Sequence, residues 1–414
     1  MHREYVNRRP GAFPPESPYV LSGVIPPSPS LPAAVAVVIA ASLSCGTLAT
    51  DRMSGAAGAQ TPEAPTRPPL IPYVASSEER PRNVVLMIGD GMGLTQISAA
   101  MYADGNGIAF ERMPVIGLHK SYSSDDLVTD SAAGATAFSC GAKTYNGAIG
   151  VRPDSTACAT LLERAEADGM PTGLVATSTI VHATPAAFFA HVPSRQDYPA
   201  IAAQLAVSGV DYFVGGGQEF FVRRGDGRDL LAEMRAGGWV VESYFDKGIA
   251  EARPVAGRPY GYLTADGDPL PVAGGRDYLA PATELALRHL AALDTAAGGF
   301  LLVVEGSQID WGGHANDSEY LIAEVLDFAQ TVGRVLDFAA ADGETLVVVT
   351  ADHETGGYAI QNGSSLGNID GAFTSDYHTA DLIPVFAYGP GAEHFSGIYE
   401  NTAIFDKMKA LFGF

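Results

Sequence analysis

Residues 300–314 read Phe300-Leu301-Leu302-Val303-Val304-Glu305-Gly306-Ser307-Gln308-Ile309-Asp310-Trp311-Gly312-Gly313-His314. The unbroken apolar run from Phe300 to Val304 predicts a strand buried on both faces, the pattern of a parallel sheet covered by helices. At its end the chemistry changes to Glu305, then Asp310, then His314. Ligands of open α/β sheets bind outside the carboxyl ends of the strands. Asp310 and His314 are four apart, so one helical turn would put both on the same side. A carboxylate with an imidazole suits zinc, whereas Glu305 is the oxygen ligand that magnesium prefers. Taken alone, the stretch reads equally as a surface loop with scattered polar residues, so the rest of the chain decides.

Outward from this strand the same arrangement recurs. Asn83 to Ile88 predicts another buried strand, followed by Gly89-Asp90-Gly91-Met92-Gly93 and a helix from Leu94 to Tyr102. A Gly-rich turn before a helix suits phosphate, but no Gly-Lys-Ser/Thr follows and the dinucleotide spacing is not met. Asp90 would repel phosphate there unless it holds a metal. Thr345 to Thr350 predicts a further strand, ending in Ala351-Asp352-His353-Glu354-Thr355-Gly356-Gly357. Thr172 to Thr177 is another, leading to Ile180-Val181-His182-Ala183-Thr184-Pro185, with Pro185 in the first turn of a helix and Thr184 as its cap. Arg195, a residue type suited to bidentate phosphate contact, falls just past that helix; His191 on it reads as structural. Tyr377-His378-Thr379-Ala380 precedes a strand from Ile383 to Tyr388.

In Asp130-Ser131-Ala132-Ala133-Gly134 two readings stand. Ser131 is a nucleophile at a helix start, or Asp130 and Ser131 are an ordinary N-cap before an Ala-rich helix. Helices are expected from Pro281 to Leu293 and from Glu319 to Phe338, the latter with Leu321, Ile322, Val325, Phe328, Val332 and Val335 on one face. Residues 211–281 read as scaffold, with a turn at Val214-Gly215-Gly216-Gly217 and loop or edge strands over 257–275. Jointly, Asp90, Glu305, Asp310, His314, Asp352, His353 and His378 supply ligands for three cations. That is the requirement of a multi-metal phosphoryl-transfer site.

Composition narrows the function. Lys and Arg number 25 against 47 Asp and Glu, a formal net charge of -22 in 414 residues. Nucleic-acid binding needs a basic footprint and is not expected. An anionic substrate would need a locally inverted field, which bound cations provide.

Residues 1–80 differ from the rest. Arg3, Arg8 and Arg9 precede a Pro-rich stretch and an apolar run from Leu31 to Leu43, too short to span a membrane and fitting the core of a signal peptide. Cleavage after Ala59 is one reading. A loose lipobox, Ser42-Leu43-Ser44-Cys45, with Cys45 lipidated, is the other. Gly55 to Leu70 reads as linker. The expected protein is exported, in a periplasmic, lipid-anchored or secreted form, with residues 81–414 as its catalytic domain. Cys140 and Cys158 are either paired or two buried free thiols.

The motifs together resemble the alkaline phosphatase family from about Arg82 onward. The resemblance rests on Gly89-Asp90-Gly91-Met92-Gly93, Asp130-Ser131-Ala132-Ala133, Ala183-Thr184-Pro185-Ala186-Ala187 with Ser194-Arg195, Val304-Glu305-Gly306 through Asp310 to His314, Asp352-His353-Glu354-Thr355-Gly356-Gly357, and His378-Thr379. It implies an α/β fold, a central, mostly parallel β-sheet flanked by helices on both faces in a three-layer sandwich. It implies hydrolysis of small phosphate monoesters through a phosphoserine on Ser131, with inorganic phosphate as product inhibitor. It further implies two Zn2+ and one Mg2+ per chain. Asp310, His314 and His378 would hold the first zinc, Asp90, Asp352 and His353 the second, and Asp90, Thr184 and Glu305 the magnesium. Arg195 would grip the phosphate oxygens. This chain departs from the enterobacterial type in His182 and Trp311, where Asp and Lys are expected. The stretch 358–377 also leaves no room for a large crown insertion, so a homodimer is left open.

A sulfatase needs Cys/Ser-x-Pro-x-Arg, which neither Cys140-Gly141-Ala142-Lys143 nor Cys158-Ala159-Thr160-Leu161 meets. A phosphodiesterase of the same superfamily remains an alternative reading. A non-catalytic exported phosphate- or zinc-binding protein is a second, weakened by the presence of both Ser131 and Arg195.

Overall fold

The apolar runs assemble side by side in a computed structural model that describes residues 80–293 and 298–413. The expected leader, the cleavage at Ala59, the lipid site at Cys45 and the linker lie outside the described residues. In chain order the strands are β1 (Asn83–Gly89), β2 (Val115–Lys120), β3 (Thr172–Thr179), β4 (Tyr212–Gly216), β5 (Val240–Ser243), β6 (Tyr260–Leu263), β7 (Leu301–Gly306), β8 (Thr345–Thr350), β9 (Glu354–Thr355), β10 (Ala359–Ile360), β11 (Gly371–Ala372), β12 (His378–Thr379), β13 (Leu382–Tyr388) and β14 (Gly397–Glu400). Ten of them form one sheet in the order β14-β2-β13-β8-β1-β7-β3-β4-β6-β5. Neighbours from β8 to β5 are parallel, and only β13 in this sheet runs against its neighbours β8 and β2.

Strand periodicity sorts the core into two halves. Val84, Leu86, Ile88, Leu301, Val303, Leu346 and Val348 face one cluster, which includes Phe138 and Leu161 from two covering helices. Val85, Met87, Leu302, Val304, Val347 and Val349 face the other, under the helices Leu279–Leu293 and Ser318–Asp342. Leu321, Val325, Phe328, Val332 and Val335 of the long helix point into this second cluster, whereas Ile322 is only partly buried against it. The result is the expected helix-sheet-helix sandwich.

Several boundaries differ from the sequence reading. The strand expected over Phe300 to Val304 runs on to Gly306, because Glu305 and Gly306 still pair with Ile88 and Gly89 of β1. Val214 to Gly216 are strand rather than turn, held by β6 on one side. Residues 257–275 contain β6, which is interior; the edge belongs to β5. The helix after Thr179 covers only Ala183–Ala186, with His182 as its N-cap, so Thr184 is inside it and His191 beyond it. His191 is structural all the same, set between the Gly150 carbonyl at 2.6 Å and Glu163 Oε1 at 2.8 Å.

The cysteine alternatives resolve to a disulfide, Cys140–Cys158, with Cα atoms 5.8 Å apart. It ties the end of the helix Ser131–Cys140 to the segment before the helix Leu161–Ala167. Closing a loop of this size contributes about 3 kcal/mol by chain entropy.

Candidate active site

Four parallel strands end together, and each delivers a ligand-type side chain near its end. β1 is followed by Asp90, β8 by Asp352 and His353, and β3 by His182 and Thr184. β7 carries Glu305 in its last turn of pairing, and the helix Gln308–His314 behind it places Asp310 and His314 one turn apart. His378 comes from β12, fixed by antiparallel pairing with Thr355 of β9. Ser131 is the first residue of the helix Ser131–Cys140.

Two glycines make this convergence possible. Gly91 has φ +74°, and a Cβ there would stand 2.7 Å from both Asp310 Cα and Thr355 Oγ1. Gly134, one turn after Ser131, would place a Cβ 2.9 Å from Asp352 Cβ. Contacts that short force the backbones apart, so the Ser131 helix approaches β8 only because residue 134 lacks a side chain.

Three groups of side chains offer ligand atoms that all lie within 4.8 Å of one another: Asp310, His314 and His378; Asp90, Asp352 and His353; and Asp90, His182 and Glu305. In the first, Nε2 of His314 and of His378 each stand 3.4 Å from Asp310 Oδ1. Their Nδ1 atoms meet carbonyls, that of Asp376 at 2.6 Å and that of Thr129 at 2.8 Å. A carbonyl only accepts, so each Nδ1 carries the proton and each Nε2 keeps its lone pair for a ligand. In the second group His353 Nε2 is 3.5 Å from Asp90 Oδ1 and 3.2 Å from Asp352 Oδ2. The Thr355 hydroxyl donates to Asp310 and accepts from His353 Nδ1, which sets that ring in the same way.

Ser131 Oγ lies against the second group, 3.5 Å from Asp90 Oδ1 and 3.4 Å from His353 Nε2. Asp130 does cap the helix, accepting from Ala133 N at 2.9 Å. Its other oxygen accepts from Arg195 Nη1, also at 2.9 Å. One carboxylate thus orients both the helix start and the guanidinium. Arg195 Nη2 reaches to 3.4 Å from His182 Nε2. The ring of His182 meets Trp311 edge to face, with centroids 6.1 Å apart.

Enclosed carboxylates without cations are penalised, and the titration directions show it. Burial, reinforced by Asp352 and Asp310, raises Asp90 well above the carboxylate range. Burial pushes Glu305 up to about 8 and Asp352 up to about 6. Asp310 goes the other way: burial alone would raise it, but His378, His353 and His314 outweigh that and hold it low. Burial and then the Arg195 charge push His182 down to about 3, so its imidazole is neutral. Buried Asp90 Oδ2, Asp352 Oδ2, Glu305 Oε1, Thr184 Oγ1 and His182 Nδ1 have no hydrogen-bond partner. Unpaired buried acceptors are costly, and a set of oxygens and imidazole nitrogens this close fits divalent cations.

The structure therefore brings together the expected site residues Asp90, Ser131, His182, Thr184, Arg195, Glu305, Asp310, Trp311, His314, Asp352, His353 and His378. It changes one membership: His182 joins Asp90 and Glu305 in the third group, with the orphaned Thr184 hydroxyl nearby as a further oxygen. Asp130 and Thr355 were quoted in the sequence without a role in the site, and the Thr129 and Asp376 carbonyls were not noticed. The sequence signal for Asp130 was its place beside Ser131; backbone carbonyls leave none.

Comparisons with known proteins point to one family. The family model for alkaline phosphatase matches residues 81–371. Alkaline phosphatase 3 of Bacillus subtilis is 32% identical over 416 residues, covering 79% of this chain and 88% of that one. Alkaline phosphatase of Escherichia coli is 32% identical over 418 residues, covering 81% of this chain and 87% of the other. The alkaline phosphatase of the Antarctic bacterium TAB5 superposes with a TM-score of 0.76 at 44% identity, covering 81% of this chain and 99% of that one. Two variants of the TAB5 enzyme, with a histidine changed to glutamate or aspartate, are described with magnesium bound in their M3 site.

Proposed function

Because the chain belongs to the alkaline phosphatase family and hydrolyses phosphate monoesters, we propose that Ser131 is its nucleophile and that the three side-chain groups hold two zinc ions and one magnesium ion. The observation that carries this reading is the position of Ser131 Oγ, 3.4–3.5 Å from His353 and Asp90 at the start of a helix. Asp310, His314 and His378 would hold one zinc, and Asp90, Asp352 and His353 the other. Asp90, Glu305 and Thr184, with His182 beside them, would hold magnesium. Cations held by these residues would supply the positive charge that in-line displacement at phosphorus requires.

The protein's own groups do the rest. Ser131 Oγ loses its proton and attacks phosphorus in line, the bond to the leaving oxygen breaks, that oxygen takes up a proton and departs as the alcohol, and a phosphoserine forms. Water then attacks phosphorus and breaks the bond to Oγ, which regains its proton as inorganic phosphate is released. The helix N-terminus favours the developing charge at Ser131. Arg195, held by Asp130, takes two non-bridging oxygens in a bidentate grip. With the bound cations it would offset the negative field of a chain of net charge -22. Turnover of an aryl phosphate monoester well above that of the matching diester tests the reading; diester preference would make the protein a phosphodiesterase, and no turnover of either a binding protein.

Arg195→Ala should weaken inhibition by inorganic phosphate about 10- to 100-fold, the loss of charge-assisted hydrogen bonds, and slow turnover. An unchanged phosphate inhibition constant counts against the grip.

His182 and Trp311 tune the same region. A neutral imidazole offers no carboxylate to a hard cation or its waters, and indole offers only one donor to phosphate. His182→Asp combined with Trp311→Lys should tighten phosphate inhibition and raise magnesium affinity, each by about tenfold for one added charged contact. If isothermal titration and product inhibition both match the parent protein, these residues merely pack.

Export fits the disulfide, which persists in oxidising compartments. No helix among the described residues is long and apolar enough to cross a membrane. The mature protein should begin near Cys45 with lipid or near Gln60 without it, as read by intact mass. A cytosolic form that retains Met1 contradicts export.

A further inference from the structure

Tyr377 directly precedes His378, and half of its surface, 50%, is exposed. Its ring lies nearly parallel to the His378 imidazole, with centroids 4.6 Å apart and planes at 11°. His378 in turn stacks on His353, with centroids 3.5 Å apart and planes at 17°. Since His353 Nε2 is 3.4 Å from Ser131 Oγ, three stacked rings lead from the nucleophile to solvent, and Tyr377 is the last of them.

The segment is rigid. The Tyr377 N–H donates to Ser375 Oγ at 2.9 Å, and its carbonyl accepts from Gly356 N at 3.0 Å. The next residue is locked into the β9–β12 pair. One face of the tyrosine covers the imidazole, while half of the residue's surface stays exposed. Its ring centroid lies 4.6 Å from that of His378 and 6.0 Å from that of His314 while half of its surface is exposed, which places it at the mouth of the site.

Ser131 Oγ touches the group formed by Asp90, Asp352 and His353, so on the reading above the leaving oxygen of an in-line attack is assigned to the other zinc-type group, Asp310, His314 and His378. Tyr377 flanks that group, also 6.0 Å from the His314 ring. We propose that Tyr377 is a platform on which a planar, uncharged leaving group, a nucleoside or an aryl ring, stacks while its phosphate is held by Ser131 and Arg195. This rests on the phosphomonoesterase reading given above. Exposed Asp376, the residue just before Tyr377, disfavours leaving groups that carry their own negative charge. A preordered aromatic face costs little entropy to use, and stacking on it tolerates any base.

The test compares kcat/KM for adenosine 5′-monophosphate, 4-nitrophenyl phosphate and glycerol 2-phosphate in the metal-loaded wild type, Tyr377→Ala and Tyr377→Phe. The selectivity for the first two over glycerol 2-phosphate should fall about five- to tenfold in Tyr377→Ala, through KM. Tyr377→Phe should keep it. An equal loss on all three substrates would mean that the ring only supports His378, and the proposal fails; it fails too if the selectivity is unchanged. A wild type inactive on all three would remove the phosphomonoesterase reading itself, and the platform with it.

Discussion

Stripping the protein of divalent metal with a chelator is expected to abolish hydrolysis, and zinc with magnesium to restore it. Four carboxylates, those of Asp90, Glu305, Asp310 and Asp352, are almost wholly buried within one site. Arg195 is the permanent cation among them, and it is already engaged with Asp130. A phosphate dianion entering this site without further positive charge would meet repulsion from every side. The same crowding predicts a loss of stability. A tight site filled at about 1,000 times its dissociation constant stabilises the fold by about 4 kcal/mol, so the metal-free protein should melt roughly 10 °C lower. Metal analysis, activity and melting temperature are measured on one preparation. Full activity in excess chelator, with metal shown absent, would sink the mechanism.

Much of this site was legible in the sequence because it sits where a strand stops. An apolar run announces burial, and a charged residue at its end announces the edge where ligands bind. Asp90, Asp352 and Glu305 were found in this way, and Asp310 with His314 by the spacing of a helical turn. Parallel strands also carry long, uniformly apolar stretches, which is why β1, β7 and β8 were found within a residue or two. β2 was missed because its pattern is inverted: Ile116 is exposed and His119 is buried. The short strands β9 and β12 have no hydrophobic pattern of their own, and tertiary pairing alone makes them strands. Boundaries failed where ladder pairing with neighbours carried a strand past its apolar run, as at Glu305 and Gly306.

The contribution of Asp130 shows why a local reading stops short. As a helix cap it is one of many, and its place beside Ser131 is the one local signal it carries. Its second oxygen meets a guanidinium 65 positions later in the chain, a relation that exists only once the helix Ala183–Ala186 and the Ser131 helix pack together. The cap and the phosphate grip are therefore one device: a shift of Asp130 would disturb nucleophile and Arg195 together.

Replacing Ser131 with alanine should lower kcat by on the order of 10³-fold or more, as removal of a nucleophile does elsewhere, equivalent to about 4 kcal/mol of barrier. The change is small in every other respect. Ser131 is the first residue of its helix, and Ala is well tolerated there because the cap is Asp130. Its hydroxyl contacts His353 and Asp90 at 3.4–3.5 Å, long for a hydrogen bond, so little stability is lost with it. Metal content, melting temperature and phosphate affinity should accordingly stay near the parent values while the covalent intermediate disappears. The direct measurement is an acid quench of the parent protein with labelled substrate, followed by peptide mapping. Label on Ser131, absent from the alanine variant, supports the assignment; label on another residue, or a variant that turns over at the parent rate, refutes it. The residual rate is informative in its own right. It reports what Arg195, the helix terminus and the cation-binding groups achieve by positioning alone, with water in place of the serine oxygen.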